Sequence, residues 1–99
     1  MAQPPSDTAL IEQIRDGDRA ALGELLERHQ HRLFSIALRM VSNRDDAAEV
    51  TQDAMLKIVQ HFDSFRSEAQ VTTWMTRIVM NQAISRLRRR KLRDHASLD

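Results

Sequence analysis

The sequence predicts an all-α fold, a compact bundle of three to four helices. Three observations carry that expectation. Only 2 Gly, 2 Pro and no Tyr occur in 99 residues, while Ala, Leu, Arg, Glu and Gln are plentiful, so hairpins and tight turns lack their usual residues. Apolar residues recur at three- and four-residue spacing along most of the chain. Residues able to cap a helix stand just ahead of those periodic stretches. The length supports one domain, since domains commonly hold about 100–150 residues. A hydrophobic share of 41% is enough for a small core, and 29% charged residues suit a solvated surface.

Residues 1–6 hold two prolines and no apolar periodicity, which predicts a disordered leader ahead of a domain over 7–94. Asp7 or Ser6 can cap a first helix through Arg15, with Leu10, Ile11 and Ile14 on one face. Gly17 then supplies the left-handed residue that commonly ends a helix. Asp18 is the next capping residue, for a helix running to about Val41. Leu22, Leu25, Leu26, Leu33, Ala37, Met40 and Val41 form its apolar face. His29 and His31 are two apart and point in different directions, which makes a poor metal pair.

Ser42 to Arg44 is a short turn, and Asp46 with Glu49 has capping-box spacing for a third helix to about His61. Val50, Ala54, Ile58 and Phe62 form one stripe, extended by Met55, Leu56 and Val59. That is more apolar circumference than a surface helix needs, so it fills a bundle core or leaves some surface for a partner. A polar loop, Asp63 to Thr72, precedes a fourth helix capped by Thr72 or Thr73. Trp74, Ile78, Ala83, Ile84 and Leu87 are expected to face inward there, with Met75, Val79 and Met80 on the flanks. Residues 95–99 lack periodicity and read as the start of an interdomain linker.

Several function classes drop out. The absence of Cys removes disulfides and thiolate metal sites. No apolar run approaches the roughly 18 residues of a membrane span, and the N-terminus lacks the parts of a signal peptide. Together these point to the cytoplasm without membrane insertion. Neither a Gly-rich phosphate loop nor a catalytic or metal-ligand spacing is present, so neither an enzyme nor a cofactor is expected.

The charge distribution is more telling than its total of +1. Met1 to Arg66 holds eight basic and eleven acidic residues, whereas Arg77 to Arg93 holds seven basic and no acidic ones. A helix that opens on the only tryptophan, Trp74, and ends in clustered arginine suits a polyanion with stackable faces, that is, nucleic acid. A core tryptophan followed by a solvated basic tail is the plainer alternative.

The run from Asp46 to Arg90 resembles a known pattern: the helix DAAEVTQDAML, the loop FRSEA and the helix TTWMTRIVMNQAISRLRRR, preceded by LFSIALRMVSNRDDA. Over about residues 10–93 it is similar to the second conserved region of bacterial RNA polymerase sigma factors, of the extracytoplasmic-function (ECF, group IV) type. The resemblance implies a helical domain in transcription initiation, with core RNA polymerase on one face and promoter DNA on another. Glu49, Gln52, Asp53 and Leu56 match the family's contact with the β′ coiled coil. Ser67, Glu68, Ala69, Gln70, Val71 and Thr72 match the loop that cradles a base flipped from the non-template strand of the −10 element, and Asn81 matches a position near that base. Trp74 matches the aromatic at the upstream edge of the melted bubble. Arg77, Arg86, Arg88, Arg89, Arg90, Lys91 and Arg93 are expected to contact phosphates, which position a protein without reading sequence. An anti-sigma factor is a further implied partner. Family members carry a second, helix-turn-helix domain for the −35 element, so this is either a domain excised from a longer protein, the favoured expectation, or a natural one-domain relative. A sigma-like protein-interaction module that does not read DNA is the competing expectation.

Overall fold

A computed structural model describes residues 3–66 and 70–97, and among these every regular element is helical. Four α-helices follow in order: α1 (Asp7–Arg15), α2 (Arg19–Val41), α3 (Arg44–His61) and α4 (Val71–Ser97), with a one-turn 3-10 helix at Phe62–Ser64. The central helix is α2, which packs against each of the other three, and α3 and α4 pack against one another.

Local chemistry explains most boundaries. The Ser6 hydroxyl accepts from the Ala9 amide and starts α1, and Gly17, at φ 99°, turns the chain out of it. The Asp18 carboxylate accepts from the amides of Ala20 and Ala21 to start α2. Residues 3–5 form no regular element, although the Pro5 carbonyl accepts from Arg28 at 2.7 Å.

Three expectations need correction. Helix α3 starts at Arg44, not at an Asp46–Glu49 capping box: Ser42 takes the left-handed conformation, and the extended Asn43 caps by accepting from the Asp46 amide. Asp46 is thereby left free for other work. Helix α4 starts at Val71, ahead of Thr72 and Thr73, with the Trp74 amide donating to the Gln70 carbonyl. The third concerns its inward face. Val71, Met75, Val79 and Ala83, at strict four-residue spacing, form the buried stripe, while Trp74, Ile78 and Leu87 are half-buried and Ile84 is 37% exposed. Both stripes are apolar, so periodicity alone could not choose between them. Packing against α2 and α3 buries the Val71, Met75, Val79 and Ala83 stripe.

The core joins Leu10 of α1, Leu25, Leu33, Ala37 and Val41 of α2, and Ala47, Val50, Ala54 and Ile58 of α3 to that α4 stripe. At about 1.5 Å per residue, the 27 residues of α4 span about 40 Å. The helix outruns the bundle, and residues 91–96 are exposed. It continues through Ser97, so residues 95–97 are helical.

Candidate nucleic-acid interface

Two faces of α4 have different chemistry. At 3.6 residues per turn, Trp74, Arg77, Asn81 and Arg88 share one face, roughly opposite which lies the core stripe of Met75, Val79 and Ala83. Arg77, Asn81 and Arg88 are exposed. Trp74 is half-buried. Its ring meets Phe62 edge-on, at 5.7 Å between centroids and 82°, and lies at 5.2 Å and 42° to Phe65. Both geometries are favourable for aromatic pairs. The tryptophan therefore belongs to an aromatic cluster and keeps part of its surface in solvent, so packing and stacking are compatible at this position.

In sequence, Phe65 and Trp74 flank the segment expected to read bases. Arg15, at the end of α1, donates to the Phe65 carbonyl at 3.2 Å and stands over its ring. Ser67, Glu68 and Ala69 lie outside the described residues. Of the other expected loop residues, Gln70 is exposed just before α4, and Val71 and Thr72 belong to its first turn. Val71 is buried and serves the core.

The basic cluster divides in two. Arg86 and Arg90 fall in line with the core stripe and turn back onto α3. Arg86 Nη2 pairs with Asp46 Oδ1 at 2.8 Å and with Glu49 Oε2 at 2.5 Å. Arg90 Nη2 pairs with Asp46 Oδ2 and donates to the Val41 carbonyl at 3.1 Å. These two arginines, both expected at phosphates, are engaged with partners inside the protein. Arg88, Arg89, Lys91 and Arg93 are exposed along the protruding end of α4. Strict four-residue spacing from 75, 79 and 83 leads to 87 and 91, so the sequence alone does not single out residues 86 and 90.

The hydrogen bonds from Arg86 and then Arg90 hold the Asp46 carboxyl below its ordinary value of 3.8, against the opposing effect of burial. The hydrogen bonds to Asp46 and then Glu49 raise the Arg86 guanidinium further, again against burial. A carboxylate with a depressed folded-state pKa adds stability above its unfolded value and loses it as pH falls through the folded one. Asp46→Asn is thus expected to be less stable than wild type at neutral pH, with a gap that closes as pH drops below about 4. Urea midpoints of both proteins across that range test this, and a gap that stays constant into strong acid would sink it.

On α3, Glu49, Gln52, Asp53 and Leu56 are all exposed on one face, at spacings of three and four. Leu56 is 55% exposed and Val59 47%. They line one side of a groove of about 690 Å³ between α2 and α3, with Leu26, Phe34 and Met55 at its floor and walls. Arg44 caps one end, with its guanidinium over the Phe34 ring at 5.4 Å. The surplus apolar circumference expected of α3 is therefore partly surface. Among the described residues there is no group of His, Cys, Asp and Glu able to hold a metal, and no helix long and apolar enough to cross a membrane.

Residues 25–93 match the family model for sigma-70 region 2. The chain belongs to the sigma-70 region 2 family. It is similar to the ECF RNA polymerase sigma-E factor of Haemophilus influenzae, at 36% identity over 83 residues, 84% of this chain and 43% of that protein. Against the ECF sigma factor SigM of Mycobacterium tuberculosis the identity is 38% over 94 residues, 95% of this chain and 48% of the relative. The chain thus spans a little under half the length of these relatives. A solved NMR structure, that of an engineered region 2 of sigmaE in complex with GTAAAA, superposes with a TM-score of 0.84 at 32% identity, covering 94% of this chain and 97% of the other. The region 2 match takes in α3, α4 through Arg93 and all but the first turns of α2, so both candidate faces lie inside it.

Proposed function

We propose that this chain is the promoter-recognition domain of an ECF-type sigma factor, a binding module rather than an enzyme. It joins core RNA polymerase and takes up the non-template strand of the −10 element in the cytoplasm. The observation that carries this is the likeness, over nearly the whole chain, to an engineered region 2 of sigmaE in complex with GTAAAA. The division of α4 into a core face and an exposed aromatic-to-basic face supports it.

In this proposal the face of α3 bearing Glu49, Gln52, Asp53 and Leu56 meets the β′ coiled coil. The adjoining groove gives an anti-sigma factor an apolar surface that overlaps it. Trp74 closes the upstream edge of the open strand. Asn81 and Gln70 offer amide groups, each with a donor and an acceptor, to the Watson–Crick edge of an extruded base, and the 67–72 segment forms the cradle. Extrusion costs a few kcal/mol from a duplex and little from an open strand, so single-stranded DNA is the preferred ligand.

Short single strands built on GTAAAA, each varied at one position, test the base reading against wild type and Asn81→Ala. Discrimination is expected to concentrate at one position and to weaken in the variant. Equal binding to all strands would leave a protein module that holds phosphates without reading sequence.

The exposed arginines have a separate signature. Each neutralised phosphate adds about −0.7 to the salt slope for single strands. Replacing Arg88 and Arg89 together with glutamine is expected to flatten the slope by about 1.4 and to weaken binding about tenfold near physiological salt, for every sequence alike. A slope that stays put while stability falls would make the pair structural.

A further inference from the structure

The last buried residue of α4 is Ala83, and Leu87 is only half-buried. Beyond them the described hold on the bundle is polar, and Asp46 is its centre, with Glu49 and the Val41 carbonyl beside it. Asp46 stands in the first turn of α3, where a negative charge is favoured, and its two oxygens are taken by guanidiniums one turn apart on α4. Arg90 also reaches the carbonyl of Val41, the last residue of α2, where the helix end leaves acceptors open. The corner between α2 and α3 is thus closed by side chains of α4. Asp46 is largely covered, at 19% side-chain exposure, and the buried Nε of Arg86 has no partner among the described residues. This geometry belongs to a fixed joint.

We propose that Asp46 is a positioning residue for the DNA-facing side of α4: through Arg86 and Arg90 it sets where Arg88 and Arg89 stand relative to Trp74 and Asn81. Arg86 and Arg90 then carry no phosphate, although they lie within the most basic stretch of the chain. Without the joint, the helix beyond Ala83 is held to the bundle at one end only and is free to bend or fray, so the course that carries its exposed arginines past the base-reading residues is no longer fixed. Glu49, whose carboxylate also meets Arg86, ties the same joint to the face assigned to polymerase.

The inference rests on the DNA-binding reading for its consequence but not for its mechanics, and two measurements keep them apart. The first needs no DNA. The chain has no cysteine, so spin labels can be placed cleanly at Gln60→Cys on α3 and Leu92→Cys on α4, both exposed positions. One narrow distance distribution is expected for the otherwise wild-type chain and a broad one after Asp46→Asn; an unchanged distribution in the variant overturns the joint. The second is binding to a fluorescent GTAAAA strand across a salt series, well below the melting temperature of every variant. Asp46→Asn makes the protein more positive, so simple electrostatics predicts tighter binding. The joint predicts binding weaker by about two- to thirtyfold, with poorer discrimination against a one-base variant. Arg86→Gln with Arg90→Gln is expected to leave the salt slope unchanged. A slope lower by about 0.7 per arginine would mean that they hold phosphates after all, and would overturn the assignment. Absence of discrimination in the wild type, with the distance distributions as expected, would refute the DNA reading and leave the joint standing.

Discussion

Trp74→Ala is expected to lower the melting temperature by about 12–24 °C and, in the protein that remains folded, to weaken single-strand binding by about 1–3 kcal/mol. The first figure follows from packing. Removing a large aromatic from a core costs about 3–5 kcal/mol, and partial exposure places Trp74 at the low end. For a domain of this size each kcal/mol moves the midpoint by about 4–8 °C. Phe62 and Phe65, which lean on the indole from two directions, would face the resulting void. The second figure is the usual worth of one base stacked on an aromatic ring. Thermal melts and binding isotherms taken well below the midpoint separate the two effects. As the only tryptophan, Trp74 also reports on itself, since a stacked base should change its fluorescence. If the folded variant binds DNA like wild type, Trp74 is a core residue and nothing more.

The other large effect is expected on α3. Asp53 is exposed in the middle of α3, away from the Asp46 joint, so Asp53→Arg should change stability by no more than about 0.5 kcal/mol. Its binding to core RNA polymerase should nevertheless fall steeply. Losing one partner of a desolvated, hydrogen-bonded charge pair costs about 2–5 kcal/mol, and like charges brought together add to that. Even the lower figure is about thirtyfold in affinity. Competition with wild type for core polymerase measures the loss, and single-strand binding by the same variant serves as control. Unchanged polymerase affinity would remove α3 from that role, and a parallel loss of DNA binding would mean that the substitution had disturbed the fold.

Most of the architecture was legible in the sequence because it is written in local chemistry. Ser6, Gly17 and Asp18 act within three or four residues of their own positions, so α1 and α2 begin and end where composition and spacing place them. The stripe Val50, Ala54, Ile58 and Phe62 was equally plain, because α3 offers one clearly favoured inward face. The polarity of charge along the chain needed only counting.

What the sequence could not decide by itself was every choice between local options of similar quality. Asn43 and Asp46 can both cap a helix; Asn43 is the cap, and Asp46 meets two arginines forty and forty-four residues away. Two apolar stripes run along α4, and the surfaces of α2 and α3 select Met75, Val79 and Ala83. The seven basic residues from Arg77 to Arg93 look alike in one dimension. Helical geometry turns Arg86 and Arg90 toward Asp46 and leaves Arg77, Arg88, Arg89, Lys91 and Arg93 in solvent. Caps and periodicity are set by neighbours in the chain, which a sequence displays. The partner of a side chain across the bundle is set by packing between helices, and only the tertiary structure supplies it.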